Sequence, residues 1–364
     1  MSGLGKVLKQ TFLSFGVAVA IAISTSGRVI SQNQPRQTSS VPIVLTQVPA
    51  AESTVQAVAS VGMTVSDMDR ILDFYTEVLP FRKISDVEVW GSEYEHLQGV
   101  FGVRMRVVQL QLGNEVIELT DYLTPEGRPI PTDSRSNDHW FQHIAIVVSD
   151  MDEAYQYLRQ HNIQHVSTAP QRLPDYIPAA AGIEAFYFRD PEGHNLEIIY
   201  YPEGKGDPRW QESSSELFLG IDHTAIAISN TPASLTFYRD MLGLTVAGES
   251  ENYGTEQAHL NQVFGAHLQI TGLRAPVGMG VEFLEYLTPS NGRSLPNDAQ
   301  ANDLVGWQTT LVVEDVDAAA QRVRSGGYDF VSSGVIQLPD DQLGFRKGFL
   351  VRDPDGHLIR IVEQ

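Results

Sequence analysis

Short β-rich runs alternate with segments of helical periodicity along most of the chain. Val61–Tyr75 and Ile144–Leu158 share one pattern, in which a β-rich run leads through an acidic residue into an amphipathic helix. Asp67 is the predicted N-cap of the first helix. Three further β-like runs follow that helix, at about 82–89, 103–112 and 115–122. The pattern therefore predicts a β-α-β-β-β module.

The module recurs along the chain. HLQGVFG at His96–Gly102 returns as HLNQVFG at His259–Gly265, an offset of 163 positions. RDPEGHNLEII at Arg189–Ile199 returns as RDPDGHLIRIV at Arg352–Val362 with the same offset. The second half is therefore a duplicate of the first, and each half divides again. Four modules are predicted, at 56–122, 139–201, 219–287 and 304–363.

One module leaves a face of its small sheet uncovered, so modules must pair. The predicted fold class is α+β, with four βαβββ modules that pair into two cupped eight-stranded mixed sheets with helices outside. Along the chain we expect a first domain at 56–202, a linker at 203–218 and a second domain at 219–364.

The first 55 residues are excluded from this fold. Two lysines precede the apolar run Thr11–Ile23, and small residues follow it, which predicts a secretory signal peptide over residues 1–31. The run is shorter than the roughly 20 residues that span a bilayer; the alternative is an uncleaved N-terminal anchor. Residues 32–55 are rich in Gln, Ser, Thr and Pro and predict a disordered linker. We therefore expect an exported protein, periplasmic or extracellular, without stable membrane insertion after cleavage.

The composition of the chain argues against several classes of function. Lys and Arg number 25 against 45 Asp and Glu, a formal charge of −20, which argues against nucleic acid and anionic lipid as partners. The chain has no cysteine, which excludes disulfides, thiolate metal sites and cysteine nucleophiles. The expected partner is a small-molecule substrate, and the oligomeric state is left open.

The repeated module resembles the vicinal oxygen chelate superfamily, which includes glyoxalase I, bleomycin resistance proteins and extradiol dioxygenases. Val116–Tyr122 (VIELTDY) and Phe188–Ile199 (FRDPEGHNLEII) look like the strand motifs of glyoxalases. The resemblance covers nearly all of residues 56–364. It implies cupped module pairs, each able to hold a divalent metal that a substrate chelates through neighbouring oxygens.

Strand alternation places two candidate ligands on the concave faces. His143 shares a face with Ala145 and Val147, because side chains alternate along a strand. Glu197 shares a face with Ile199 in the same way. A carboxylate among aliphatic residues is costly unless it is paired, hydrogen-bonded or bound to a metal.

The resemblance implies one ligand position on the first strand and one on the last strand of each module. In module order these positions hold Ser60 and Glu118, His143 and Glu197, His223 and Glu282, and Gln308 and Arg360. Two imidazoles and two carboxylates suit a divalent ion such as Zn, Ni, Mn or Fe(II).

Two pairings of the modules remain open. Pairing across the halves gives one cup with four ligands and one cup in which Arg360 replaces the cation beside Glu118. The complete cup then holds His143, Glu197, His223 and Glu282. Pairing within the halves instead gives one site of three ligands: Glu118, His143 and Glu197.

The turn sequences DPEG at 190–193 and DPDG at 353–356 predict type I turns rather than catalytic groups. His194 and His357, which follow these turns, are expected at the surface.

The resemblance implies a glyoxalase-like isomerase or lyase in which Glu282 or Glu197 moves a proton at carbon. One alternative is an extradiol-type ring-cleaving dioxygenase. Phe186–Glu197 matches part of that signature, but the upstream histidine is missing, with Pro178, Ala179 and Ala180 in that region. The other alternative is a non-catalytic small-molecule-binding protein of the resistance type.

Overall fold

The computed structural model describes residues 55–364. The predicted signal peptide at 1–31 and all of the predicted linker except its last residue therefore lie outside the described residues. Over residues 55–364, no helix combines the length and the apolar character needed to cross a membrane.

The first half of the chain supplies two modules. The first module consists of β1 (Val55–Val65), α1 (Met68–Asp73), β2 (Arg82–Trp90), α2 (Ser92–Gln98), β3 (Arg104–Leu112) and β4 (Glu115–Thr124). The second consists of β5 (Gln142–Val148), α3 (Met151–Gln160), β6 (Gln164–His165), β7 (Gln171–Arg172), β8 (Glu184–Arg189) and β9 (Asn195–Tyr200). The side chain of Asp67 caps α1 as predicted, accepting from the amide of Arg70.

The second half repeats this order after a 3₁₀ turn at Pro208–Gln211. The third module consists of β10 (Phe218–Ile228), α4 (Thr231–Leu235), β11 (Thr245–Tyr253), α5 (Thr255–Asn261), β12 (His267–Arg274), β13 (Val277–Gly278) and β14 (Gly280–Thr288). The fourth consists of β15 (Trp307–Val313), α6 (Val316–Ser325), β16 (Ile336–Gln337), β17 (Lys347–Arg352) and β18 (Leu358–Glu363). Helices α1 and α4 each continue into a π-helical turn, at Phe74–Val78 and Thr236–Met241.

The modules pair across the halves. The first sheet has the order β16-β17-β18-β15-β1-β4-β3-β2, with β13 added beside β1, and so joins the first and fourth modules. The second sheet has the order β11-β12-β14-β10-β5-β9-β8-β6, with β7 beside β8, and so joins the second and third. Each sheet is mixed, and its two modules meet through an antiparallel pair, β1 with β15 or β5 with β10.

Helices α1, α3, α4 and α6 cover the outer faces of the sheets, as predicted, whereas the short helices α2 and α5 lie on the concave sides. Ile144, Ile146 and Val148 of β5 belong to one large hydrophobic core together with the apolar face of α3. This burial leaves the opposite faces of the strands, including His143, for the concave side.

The two concave faces differ. In the first sheet the concave face is filled by a hydrophobic cluster that draws on β2, β3, α2 and the segment 338–345; we call it the closed cup. In the second sheet a cavity of about 930 Å³ opens on the concave side, and we call it the open cup.

Two equivalent ion pairs join the connecting segments between modules, and we call each of them a clasp. Arg128 contacts Asp303, with the closest approach at 2.6 Å, and Arg293 contacts Asp138 at 2.7 Å. Both carboxylates are almost fully buried, at 5% and 0% side-chain exposure. Each clasp joins residues from different halves, so the duplicated halves are held together at two equivalent points.

The two turns have the predicted form, but the histidines after them are not at the surface. The amide of Gly193 donates to the carbonyl of Asp190 and closes the first turn. His194 and His357 are buried at 1% and 6% exposure, because the carboxylate of Asp190 or Asp353 binds the ring Nδ1 at 2.9 Å and draws it inward.

Candidate metal centre

Three buried side chains converge in the open cup. His143 lies on β5, Glu197 on β9 and His223 on β10, and one ligand atom from each lies within 4.8 Å of the other two. Nε2 of His143 is 2.9 Å from Oε2 of Glu197, and Nε2 of His223 is 3.8 Å from the same oxygen. The register of β5 against β10 brings the two imidazoles from different halves of the chain into one site, with His143 opposite Ala225 and His223 opposite Ala145.

The ring nitrogens of this cluster fit a cation. Nε2 of both histidines is buried and has no hydrogen-bond partner within residues 55–364. The short contact between His143 and Glu197 lacks the direction of a hydrogen bond, since Nε2 of His143 is among these unpartnered atoms. Buried polar atoms without partners are rare. Imidazole and carboxylate groups that point at a common centre rather than at one another are the donor set of a divalent metal.

Glu282 lies at the edge of this cluster, on β14. Its Oε1 is 3.6 Å from Nε2 of His223, and its side chain is a quarter exposed, toward the cavity. Burial raises the pKa of Glu282, and the carboxylate of Glu197 raises it further, while His223 acts in the opposite direction. Glu282 is thus a carboxyl group between the three-residue cluster and the space that a ligand would fill.

Asp222 orients His223. Its Oδ2 accepts from Nδ1 of His223 at 2.9 Å, which leaves the lone pair of Nε2 directed at the cluster. Neighbouring residues in a regular strand point to opposite faces, but the pairing of β10 with β5 shifts register between Ile221 and His223. At this irregularity the side chains of Asp222 and His223, which are neighbours in the sequence, contact each other.

Asp222 is itself held by three further donors. Trp210 donates from Nε1 at 2.9 Å, Tyr201 from its hydroxyl at 3.2 Å, and Arg274 contacts both carboxylate oxygens at 2.8 and 2.9 Å. Burial would raise the pKa of Asp222, but its contacts with His223 and Arg274 keep that pKa well below its usual range. The carboxylate is therefore charged and fixed in place.

His223 carries the opposite shift. Burial alone would lower its pKa, yet the charges of Glu282, Asp222 and Glu197 outweigh burial and raise it to about 9. In the metal-free protein the site thus holds a proton where a cation would otherwise balance the carboxylates.

The remaining predicted ligand, Glu118, is not in this site. It lies in the closed cup, where its Oε1 accepts from Arg360 at 2.8 Å, with side-chain exposures of 2% and 3%. Glu118 was a ligand only if modules paired within the halves. Because β1 pairs with β15 instead of β5, that role is wrong, and the guanidinium replaces a cation in the closed cup.

The residues around His223 were not predicted. Asp222 is an acidic residue inside a β-rich run, which is the one local signal of its role in the sequence. Trp210 falls in the predicted linker, and no pattern there indicated a buried side chain; in the structure the 3₁₀ turn buries it to 8% exposure.

Comparison with known proteins agrees with this geometry. The sequence model of the glyoxalase/bleomycin resistance protein/dioxygenase superfamily matches residues 57–198 and 220–361, one copy in each half. The chain belongs to this superfamily. The two matched copies correspond to the duplication, whereas each of the two sheets combines one module from either copy.

Two proteins that resemble this chain are enzymes by name. A 2-epi-5-epi-valiolone epimerase of Actinomyces sp. is 32% identical over 155 residues, which are 41% of this chain and 81% of the epimerase. A glyoxalase I of Saccharomyces cerevisiae is 27% identical over 141 residues, 38% of this chain and 39% of that protein. The crystal structure of glyoxalase I from Zea mays superposes with a TM-score of 0.56 at 16% identity, covering 84% of this chain and 92% of that one, a likeness of fold.

Proposed function

We propose that this protein is a divalent-metal-dependent enzyme that moves a proton at a carbon next to a carbonyl group, as an isomerase or lyase of the glyoxalase type. The observation that carries the proposal is the convergence of His143, Glu197 and His223 on one point with both imidazole Nε2 atoms unpartnered. Zn, Ni, Mn and Fe(II) all accept this donor set.

In this proposal the three residues hold the metal, and the cavity holds a small substrate. A divalent cation in that position supplies a Lewis acid for two neighbouring substrate oxygens and stabilises negative charge on them.

Glu282 is the proposed proton carrier. Its carboxyl group faces the cavity beside the cluster, and its raised pKa makes it a better base than an ordinary glutamate. Glu197 remains the second candidate, although its carboxylate lies within the ligand cluster. The names of the epimerase and the glyoxalase I support a proton transfer, because epimerisation and isomerisation beside a carbonyl share that step.

A ring-cleaving dioxygenase is the second candidate function. Two histidines and one carboxylate are also the donor set of non-haem Fe(II) oxygenases. Oxygen consumption with a catechol, in the absence of solvent-hydrogen exchange, would favour this candidate over the first.

Metal content tests the proposal directly. Wild-type protein should hold about one divalent ion per chain, and His143→Ala and His223→Ala should each lose it. Ser60→Ala is the matched control, since Ser60 occupies the position of His223 in the closed cup; it should retain the metal. A wild type without metal under any loading condition would contradict the proposal.

Exchange of substrate hydrogen with heavy water tests the role of Glu282. Glu282→Gln should keep the metal and lower the exchange rate by about 10²–10⁴-fold, the usual contribution of a positioned acid or base. An unchanged exchange rate in this variant would indicate that Glu197, and not Glu282, carries the proton.

We further propose that the protein is exported. The sequence of residues 1–31 supports this, with two lysines before an apolar run and small residues after it. Cell fractionation with N-terminal sequencing of the mature chain tests it; a cytoplasmic protein that retains its first residues would contradict it.

A further inference from the structure

A row of three amide side chains lies buried in the wall of the open cup. Asn252, near the end of β11, donates from Nδ2 to Oε1 of Gln257 at 3.1 Å, and Gln257 donates in turn to Oδ1 of Asn261. Gln257 and Asn261 lie one turn apart on α5. The three residues are 3%, 2% and 0% exposed, and the first two line the cavity.

The row leaves one polar atom without a partner at its cavity end. Oδ1 of Asn252 is buried and has no hydrogen-bond partner in the described part of the chain, whereas Asn261, at the other end, lies beside the hydroxyl groups of Tyr187 and Tyr286. An unsatisfied buried polar group costs roughly 1–3 kcal/mol. A ligand that donates a hydrogen bond to this oxygen would remove the cost.

The closed cup shows that the fold does not require these amides. The equivalent positions there, in the same order as Asn252, Gln257, Asn261 and Tyr286, are Val89, Tyr94, Gln98 and Tyr122. Val89 and Tyr94 belong to the hydrophobic cluster that fills that cup. Gln98 accepts from Tyr122 and from Gln308, so its carbonyl oxygen is satisfied inside the protein. The row of three amides is thus specific to the open cup, although the closed cup also holds a buried amide oxygen without a partner, Oε1 of Gln308.

The charges of the open cup argue against an anionic ligand. Among the described residues lining it are six carboxylates and two guanidinium groups. Both arginines are already paired, Arg274 with Asp222 and Arg209 with Glu115. A phosphate or carboxylate would meet this surplus of negative charge without a free cation other than the metal. A neutral ligand avoids the repulsion.

The amide row is close enough to the metal centre for one small molecule to touch both. Asn261 lies beside the side chain of Tyr187, and the Tyr187 ring is 4.8 Å from the ring of His143. A cavity of about 930 Å³ has room for several groups beyond the two oxygens that a metal binds.

We propose that Asn252 and Gln257, held in place by Asn261, form a recognition subsite for the hydroxyl groups of a neutral, polyhydroxylated carbonyl compound. A hydroxyl group can donate to the unpartnered oxygen of Asn252 and accept in turn from another donor. The proposal rests on the proposed function only for the placement of the carbonyl at the metal. The amide row selects the hydroxylated part of the same molecule.

Ligand binding to the metal-loaded full chain tests the subsite, with two matched pairs of probes. Scyllo-inosose is compared with hydroxycyclohexanone, which keeps the two neighbouring oxygens but lacks the other hydroxyls. Xylulose is compared with its terminal phosphate ester. Saturation-transfer NMR titration should show the neutral polyhydroxylated member of each pair binding about tenfold or more tightly, the value of one satisfied hydrogen bond.

The variants are chosen from the chain's own duplicate. Asn252→Val and Gln257→Tyr introduce the residues of the closed cup and should abolish the preference while the metal content stays at the wild-type level. Gln98→Asn, in the closed cup, is the control and should keep the preference for the neutral polyhydroxylated probes. Asn252→Leu preserves the approximate shape without the unpartnered oxygen and reports on the site if the other changes impair folding; it should weaken binding of both neutral polyhydroxylated probes.

Several outcomes would overturn the subsite. They are equal binding within either pair, tighter binding of the phosphate ester, no binding of any probe to the wild type, or an unchanged preference in a folded Asn252→Val protein. A wild type that holds no metal but still prefers the hydroxylated probes would contradict the proposed function and support the subsite, so the two failures are distinguishable.

Discussion

Single positions decide which of the two cups has the side chains to hold a cation. Arg360 and Glu118 occupy in the closed cup the positions that Glu197 and Glu282 occupy in the open one. The guanidinium of Arg360 also donates to Thr310 and lies over the ring of Phe345, so its planar charge is contacted from several sides. One arginine thus converts a potential metal site into an internal ion pair.

Replacing Arg360 by methionine should destabilise the protein by about 3–5 kcal/mol, because Glu118 would remain charged and buried without a partner. Urea unfolding measures this loss. The double variant Arg360→Met with Glu118→Leu removes both charges and should recover most of the stability. A double variant as unstable as the single one would show that packing, and not the lone charge, is responsible.

The protonation of His223 predicts how the metal-free protein responds to pH. Its pKa in the folded protein is about 9, against an ordinary value of 6.5 in the unfolded chain. A raised pKa contributes stability that is complete below the unfolded value and is lost as pH rises through the folded value. With a chelator present, the free energy of unfolding should therefore fall by up to about 3 kcal/mol between pH 6.5 and 9. His223→Gln should not show this decrease, and an equal decrease in that variant would assign it to another group.

At the scale of the secondary-structure elements, alternation was sufficient to place His143 and Glu197 on the concave face, because β5 and β9 are regular where these residues lie. Alternation alone would place Asp222 on the face opposite to His223. A register shift within β10 is invisible in the sequence and brings Asp222 to the same ring. The burial of Trp210 depends on a 3₁₀ turn that packs back onto β10, a long-range contact that no local pattern reports.

Trp210→Phe should weaken the metal centre through Asp222. The change removes a donor to a buried carboxylate, for which we expect a loss of about 1.5–3 kcal/mol in unfolding free energy and a roughly tenfold weaker metal affinity. Isothermal titration of the metal and urea unfolding measure the two effects. Trp140→Phe is the control, since Nε1 of Trp140 donates to Ser134 outside the centre; it should leave metal affinity unchanged. Equal affinity in both variants would contradict a supporting role for Trp210.

At the scale of the whole molecule, the module boundaries were predictable from the repeats, but the pairing of modules was not. Both pairings satisfy the same strand patterns, and the choice depends on contacts between distant segments. The clasps of Arg128 with Asp303 and Arg293 with Asp138 join the connecting segments of different halves in the observed pairing. Neither clasp had a local signal in the sequence.

The cross-half pairing predicts that neither half forms the metal centre alone. A chain divided between Ser213 and Ser214, in an exposed stretch before β10, separates His143 and Glu197 from His223. The co-expressed halves should associate and bind about one metal ion per pair, and each half alone should bind none with comparable affinity. Native mass spectrometry of the three samples measures this. Full metal affinity in the first half alone would contradict the pairing.

The closed cup also bears on how freely this protein can acquire new specificities. Its buried ion pair and hydrophobic filling occupy the concave face of one sheet, while the neighbouring sheet carries the open cavity and the candidate metal centre. In a duplicated architecture of this kind, one module pair contributes mainly to stability and the other carries the candidate functional site. Randomising the residues that line the open cup should therefore yield a larger share of folded variants than randomising the corresponding residues of a protein that has a single module pair.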